Sequence, residues 1–156
     1  MSDAEPKNLN FRLTEDGLFF AGTVLSLDSH KEGELSFISS AMHASKKIST
    51  RMIILEETCR LLGIETEGTN HLVCQYNRPF SLGRLKIELL PAGGSLGAAS
   101  LYIEKEETSC LYACHIQPHK VLAVRQMQLR KADILILKTG DVLLDPLIKR
   151  KHEKKR

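Results

Sequence analysis

The segment Ser36–Ser45, SFISSAMHAS, places hydroxyl side chains and an imidazole close together. Ser39 and Ser40 are candidate nucleophiles, and His43 is a candidate general base. Catalysis by such a pair also needs a strained turn, an acidic residue that orients the histidine, and an oxyanion hole. SFISSAMHAS contains no glycine, so it does not have the G-x-S-x-G pattern that supplies such a turn. The segment is therefore not predicted to be a serine hydrolase site.

A second group of reactive side chains lies in CHIQPH, where Cys114, His115 and His119 are all competent metal ligands. A structural metal site needs about four ligands, and Cys110 is the one other candidate nearby. Cys114 and His115 are also adjacent in a predicted strand, so their side chains should point to opposite faces. We therefore expect these histidines to be structural or surface residues.

The C-terminal sequence KRKHEKKR is strongly basic. Its six Lys and Arg residues and one Glu give a net charge of +5, and the whole chain carries +3, so the other 148 residues sum to −2. Such a tail can bind phosphates by counterion release or act as a nuclear address; the alternative is a solvated tail that aids solubility. The absence of interleaved aromatic residues argues against a base-stacking surface. The candidate nucleic-acid contacts are Lys149, Arg150, Lys151, Lys154, Lys155 and Arg156.

The elements that must position these groups are predicted to be mostly strands. Apolar runs and alternating patterns, separated by turn residues, predict strands at Phe11–Leu13, Gly17–Ala21, Thr23–Leu27, Glu34–Ser39, His71–Gln75, Arg84–Leu90, Ala98–Glu104 and Ser109–His115. Ile134–Lys138, ILILK, is continuously apolar, which predicts a strand buried on both faces. A short helix is predicted at Val121–Arg130.

One longer helix is predicted at Ser49–Leu62. Ser49 or Thr50 is a suitable N-cap residue, and Gly63 is a suitable C-terminal cap. Its proposed apolar face consists of Met52, Leu55, Cys59 and Leu62. One helix among many strands indicates a β-rich α/β layer arrangement.

The composition is that of one ordinary globular domain. The chain has 156 residues, 42% hydrophobic and 26% charged, enough to bury a core without disulfides. The sequence begins with a polar stretch and contains no apolar run long enough for a membrane helix. We therefore expect an intracellular protein, cytoplasmic or nuclear, with no membrane association, and four cysteines that are reduced core thiols. The spacing of the cysteines matches no zinc-ribbon pattern.

Several segments resemble, in order, the amino-terminal half of metallo-β-lactamase-fold nucleases. The nearest branch resembles the DNA-ligase-associated exonucleases and the β-CASP RNA 3′-end-processing nucleases. The segments are LTEDGLFFAGTVLSLD, SFISSAMHAS, ISTRMIILEETCRLLG, KIELLPAGGSLGAAS, CLYACHIQ and ADILILKTG. The resemblance implies half of an αββα sandwich, with residues 1–10 a mobile N-terminus, residues 11–140 the half domain, and residues 141–156 an extension with the basic tail.

The resemblance also implies where metal ligands would lie, and here the ligands are absent. The family's His-x-His-x-Asp-His motif falls on SFISSAMHAS, its next histidine on PAGG, and its bridging aspartate on ACHI. A dizinc site needs a crowd of His and carboxylate ligands to bind two cations and activate water. We therefore expect no metal and no other cofactor. The degenerate positions are Ser40, Met42, Ala44, Ser45, Gly94 and His115, of which only His115 could still ligate a metal.

The family continues with a clamping insertion and the second half of the fold, which are expected to be missing here. A half sandwich would leave a sheet face or edge bare, and such surfaces associate. The expected partner is a second copy of the chain or a protein that supplies the missing half. The favoured function is an inactive, nuclease-like subunit acting through protein–protein interaction in DNA or RNA processing. The alternatives are a nucleic-acid-binding module that uses the basic tail, and a hydrolase completed by a partner chain.

Overall fold

A computed structural model describes residues 9–29, 31, 34–42 and 51–138 of the chain. These residues form eleven strands and one helix in two sheets. The elements are β1 (Phe11–Thr14), β2 (Gly17–Phe20), β3 (Leu25–Leu27), β4 (Leu35–Ile38), β5 (Arg51–Leu55), α1 (Glu56–Leu62), β6 (Leu72–Cys74), β7 (Phe80–Leu82), β8 (Leu85–Pro91), β9 (Ala99–Lys105), β10 (Thr108–Cys114) and β11 (Ile134–Lys138).

The two sheets differ in strand direction. The first sheet has the order β1-β2-β3-β4-β5-β6; its first two pairings are antiparallel and those from β3 to β6 are parallel. The second sheet has the order β11-β10-β9-β8-β7 and is antiparallel except for the parallel pair β10–β11. These mixed sheets with a single helix confirm the predicted β-rich α/β class.

The main core lies between the two sheets. Phe37 of β4 meets Tyr112 of β10 edge to face, with ring centroids 6.2 Å apart. Parallel strands covered on both faces are apolar without a break, and Met52 to Leu55 of β5 are all buried. Helix α1 covers the outer face of the first sheet through a smaller cluster made of Ile38, Met52, Ile54 and Cys59.

The helix predicted at Ser49–Leu62 is wrong in its first half. Arg51–Leu55 forms strand β5, and the helix occupies only Glu56–Leu62. The run RMIIL suits a strand buried on both faces, and pairing with β4 and β6 decides for the strand. Ser49 and Thr50 lie outside the described residues, and the N-cap is Leu55, without a side-chain cap. Gly63 does adopt the left-handed conformation at the C-terminal cap, φ +64°.

Two further predictions are wrong in the C-terminal part of the described chain. Residues 121–130 form no helix and run irregularly, held to β8 by Gln128, whose N–H donates to the Pro91 carbonyl at 3.0 Å. β11 is not buried on both faces, because Leu135 and Leu137 are 58% and 53% exposed. Ile134 and Ile136 pack against the core, whereas no described element covers the opposite face of β11, which carries Leu135 and Leu137.

Strand β7 has no counterpart among the strands predicted from the sequence. Cys59, Cys110 and Cys114 are buried and unpaired, as expected of core thiols, whereas Cys74 is half-buried. Residues 1–8 of the expected mobile N-terminus 1–10, and residues 139–156 with the basic tail, lie outside the described residues. No helix in the described part of the chain is long and apolar enough to cross a bilayer.

Candidate functional site

The carboxyl ends of β3, β4 and β10 meet the loop that follows β8 at one edge of the sandwich. The N–H of Ala99 donates to the carbonyl of Ser39 at 2.8 Å, which joins the second sheet to the end of β4. The N–H of Gln117 donates to the carbonyl of Ala92 at 3.0 Å, which joins the end of β10 to the loop after β8. The fold therefore brings together segments that are far apart in the sequence.

A buried carboxylate, Asp28, is the polar centre of this edge. Its side chain is 1% exposed. Its Oδ1 accepts a hydrogen bond from the N–H of Ser39 at 2.8 Å, and its Oδ2 accepts one from the hydroxyl of Tyr112 at 2.7 Å. The ammonium of Lys138 lies 3.5 Å from Oδ2. Asp28 thus connects the ends of β3, β4, β10 and β11 without facing solvent.

The surroundings of Asp28 keep its neighbours protonated. Burial, followed by the negative charge of Asp28, raises the pKa of Tyr112 far above its ordinary value of 10.0. Burial is also the main reason that the pKa of the Cys114 thiol is raised. A protonated Tyr112 can donate to the carboxylate, and a protonated Cys114 is a poor nucleophile. This chemistry fits a structural hydrogen-bond network better than a catalytic one.

Ser39 and Ser40, in the described part of SFISSAMHAS, face the packed interior and are fully buried. The Ser39 hydroxyl interacts with the Cys114 thiol, and the Ser40 hydroxyl has no hydrogen-bond partner among the described residues. A buried hydroxyl cannot attack a substrate that has no route to it. His43, the base of the predicted pair, lies outside the described residues. The described geometry therefore offers no nucleophilic site here.

Gly94 and His115, two of the degenerate positions, come into direct contact. A Cβ atom on Gly94 would lie 2.0 Å from the carbonyl oxygen of His115 and 2.6 Å from its Cδ2. Gly93 forms a bridge with Ile116 beside them, and His115 takes the left-handed conformation, φ +55°. The space that a histidine side chain would need at position 94 is filled by backbone.

The donor set at this edge does not fit a dizinc centre. Ser40 is a buried neutral hydroxyl, Met42 is 70% exposed, and Gly94 has no side chain. Among the described residues no three His, Cys, Asp or Glu side chains are placed to share a metal ion. Asp28, the carboxylate that the described residues place at this edge, uses both oxygens in hydrogen bonds. Ala44, Ser45 and the tail residues 149–156 lie outside the described residues.

Sequence reasoning did not assign a role to the residues that organise this edge. Asp28, Tyr112 and Lys138 were all within the segments that carry the resemblance, but none was singled out. One available signal was Asp28 itself, because an acidic residue at the end of the buried run LSL must find partners. The identity of those partners depends on the fold.

Comparison with known proteins shows limited similarity. No family model matches the sequence, and no curated protein matches it significantly. A protein of unknown function from Enterococcus faecalis V583 is 18% identical over 55% of this chain, with a TM-score of 0.42. A Cronobacter sakazakii metallo-β-lactamase with a HARLDQ motif is 13% identical over 78% of the chain, with a TM-score of 0.46. A mutant of that motif is 12% identical over 94%, with a TM-score of 0.49.

The chain spans 25% of the Enterococcus protein, and 57% and 76% of the two Cronobacter chains. Similarity at this level concerns the fold alone and identifies neither a family nor an activity. What the described residues establish is a β-rich α/β sandwich whose edge, at the positions singled out from the sequence, is closed by backbone packing and a buried hydrogen-bond network.

Proposed function

We propose that this chain is a catalytically inactive, nuclease-like subunit of the metallo-β-lactamase type, which acts by protein–protein interaction in a DNA- or RNA-processing assembly. The observation that carries the proposal is the contact between Gly94 and His115. These two positions, predicted to correspond to metal-ligand slots, lie together at one edge, and one of them has room for no side chain at all.

The chemistry of the remaining groups supports a loss of hydrolysis. Two zinc ions and a bridging hydroxide need several anionic or imidazole ligands to hold them about 3.5–4 Å apart. The hydroxyl of Ser40 and the thioether of Met42 supply neither the charge nor the geometry. Both oxygens of Asp28 already accept hydrogen bonds from the ends of β4 and β10, so this carboxylate is engaged in joining the strands.

An open sheet edge supports the interaction role. Within the described residues β11 is hydrogen-bonded on one side only, and β1 ends the first sheet beside it. The outer side chains of β11, Leu135 and Leu137, are more than half exposed. Unpaired strand edges with apolar side chains readily add a further strand from another molecule. The proposed partner is a second copy of this chain or a protein that completes the sandwich.

Native mass spectrometry of the untagged, unchelated protein tests both parts of the proposal. A metal-free dimer is the expected species, and a metal-free monomer would reject the homodimer. Two divalent ions per chain would contradict the inactive site and favour a hydrolase. A parallel assay with single-stranded DNA and RNA and added Mn²⁺ or Zn²⁺ should show no cleavage above buffer. Cleavage that appears only with a co-purified chain would favour a hydrolase completed by that partner.

A further inference from the structure

An apolar pocket opens between the two sheets on the side of their edge strands. It has a volume of about 300 Å³, at the lower end of the range for small-molecule sites. Leu18 of β2 and Ile136 of β11 form opposite walls, and Leu13 and Leu137 line its mouth. Leu13 is 79% exposed, so solvent reaches the pocket.

One end of the pocket is polar, where Asp28, Tyr112 and Lys138 contribute to the lining. The Asp28 carboxylate is almost completely buried and already accepts hydrogen bonds from Ser39 and Tyr112. The Lys138 side chain is 35% exposed, and its ammonium contacts Asp28 at 3.5 Å, longer than a charge-assisted hydrogen bond. Lys138 is the counter-ion of Asp28, whose two oxygens are turned to Ser39 and Tyr112, so the group that keeps hydrogen-bond donors for a ligand is the Lys138 ammonium.

We propose that this pocket binds a small monocarboxylate with an apolar tail. The carboxylate accepts hydrogen bonds from the Lys138 ammonium, which has three donors and uses one weakly. The tail lies between Leu18 and Ile136, where it replaces water against apolar walls. An amine is not expected, because both Asp28 oxygens already accept hydrogen bonds and the Lys138 ammonium beside them would repel it. The pocket shares its polar end with the Asp28 network described above, but it uses neither Gly94 nor His115, so its test does not depend on the proposed function.

Isothermal titration calorimetry of the full chain with octanoate and with 1-octanol tests the proposal. The two probes share a tail and differ in the charged head. Saturable binding of octanoate, at least about tenfold tighter than that of 1-octanol, is expected. Lys138→Met should remove this preference by weakening octanoate about tenfold while leaving 1-octanol unchanged. Lys120→Met, which changes an exposed lysine in the 117–130 segment, should behave as wild type.

A second variant is needed because Lys138→Met also removes a partner of the buried Asp28 and can thereby destabilise the fold. Leu13→Trp places a bulky side chain at the pocket mouth, from a residue that is 79% exposed. It should abolish the binding of both probes while the circular dichroism spectrum stays native. Equal affinities for octanoate and 1-octanol, no saturable octanoate binding at millimolar concentration, or wild-type binding by Leu13→Trp would overturn the proposal.

Discussion

At the scale of single residues, Gly94 lies so close to the His115 carbonyl that one added methyl group has no space. Gly94→Ala should therefore lower the free energy of unfolding by about 3 kcal/mol, because the strand end must move. Gly83→Ala is the control, because a Cβ at position 83 meets nothing within 4 Å. Its expected loss of unfolding free energy is about 1 kcal/mol, from the strain of an alanine at φ +58° alone. Urea denaturation measures both. Equal losses would show that the two segments are not packed together as described.

Tyr112 tests the network around Asp28. Tyr112→Phe removes the hydroxyl that donates to Oδ2 at 2.7 Å, and a lost hydrogen bond to a buried charge should cost about 2 kcal/mol. The matched change is Tyr102→Phe, because Tyr102 is also buried and contacts the Arg130 guanidinium through its ring, 4.8 Å from the centroid. Thermal denaturation at neutral pH should show the larger loss for Tyr112→Phe. A loss no greater than that of Tyr102→Phe would argue against a structural role for the Asp28 network.

At the scale of elements, the irregular 117–130 segment is held to β8 by the ion pair between Arg130 and Glu88. Arg130 donates two hydrogen bonds to Glu88, one of them 2.9 Å from Nη2 to Oε1. The hydrogen bonds from Arg130 are the largest cause that lowers the pKa of Glu88 below its ordinary value of 4.5. A carboxyl whose pKa is lowered by folding stabilises the native state above that ordinary value, and the contribution disappears as the pH falls through the lowered pKa.

Glu88→Gln should therefore destabilise the protein by about 1–2 kcal/mol at neutral pH. The difference from wild type should shrink as the pH falls below 4.5, the ordinary pKa of the carboxyl. Glu104→Gln breaks the more exposed pair with Lys86, 3.5 Å apart, and should cost less than about 1 kcal/mol. Denaturant titrations across pH measure all three proteins. A Glu88→Gln effect independent of pH would mean that the pair does not hold the segment.

At the scale of the whole molecule, the basic tail provides a separate test of nucleic-acid binding. Residues 149–156 carry six Lys and Arg residues, so deleting them should remove any binding to single-stranded RNA or DNA that weakens steeply with salt. The control deletion is residues 1–8, which contain a single lysine. Fluorescence anisotropy at several salt concentrations distinguishes the two. Full retention of salt-dependent binding without the tail would place the nucleic-acid surface on the body of the chain.

The sequence by itself determined the β-rich class, most of the strands and the end of the helix. Alternating and continuous apolar runs indicate strands because side-chain direction repeats every two residues. Gly63 marks the end of α1 because it tolerates a positive φ. Ser40, Gly94 and His115 were singled out from motif order alone, and the fold places them at or beside one edge of the sandwich.

Only the tertiary structure decided the rest, because those features depend on contacts between distant residues. Arg51–Leu55 is a strand because β4 and β6 flank it, although the same apolar residues also fit a helical face. β11 is half exposed because only the face that carries Ile134 and Ile136 packs against the core, which its composition does not reveal. Asp28 and Tyr112 are 84 residues apart in the chain, so no local pattern predicts their hydrogen bond. A buried carboxylate needs hydrogen-bond partners, and the packing of the two sheets places the Tyr112 hydroxyl beside Asp28.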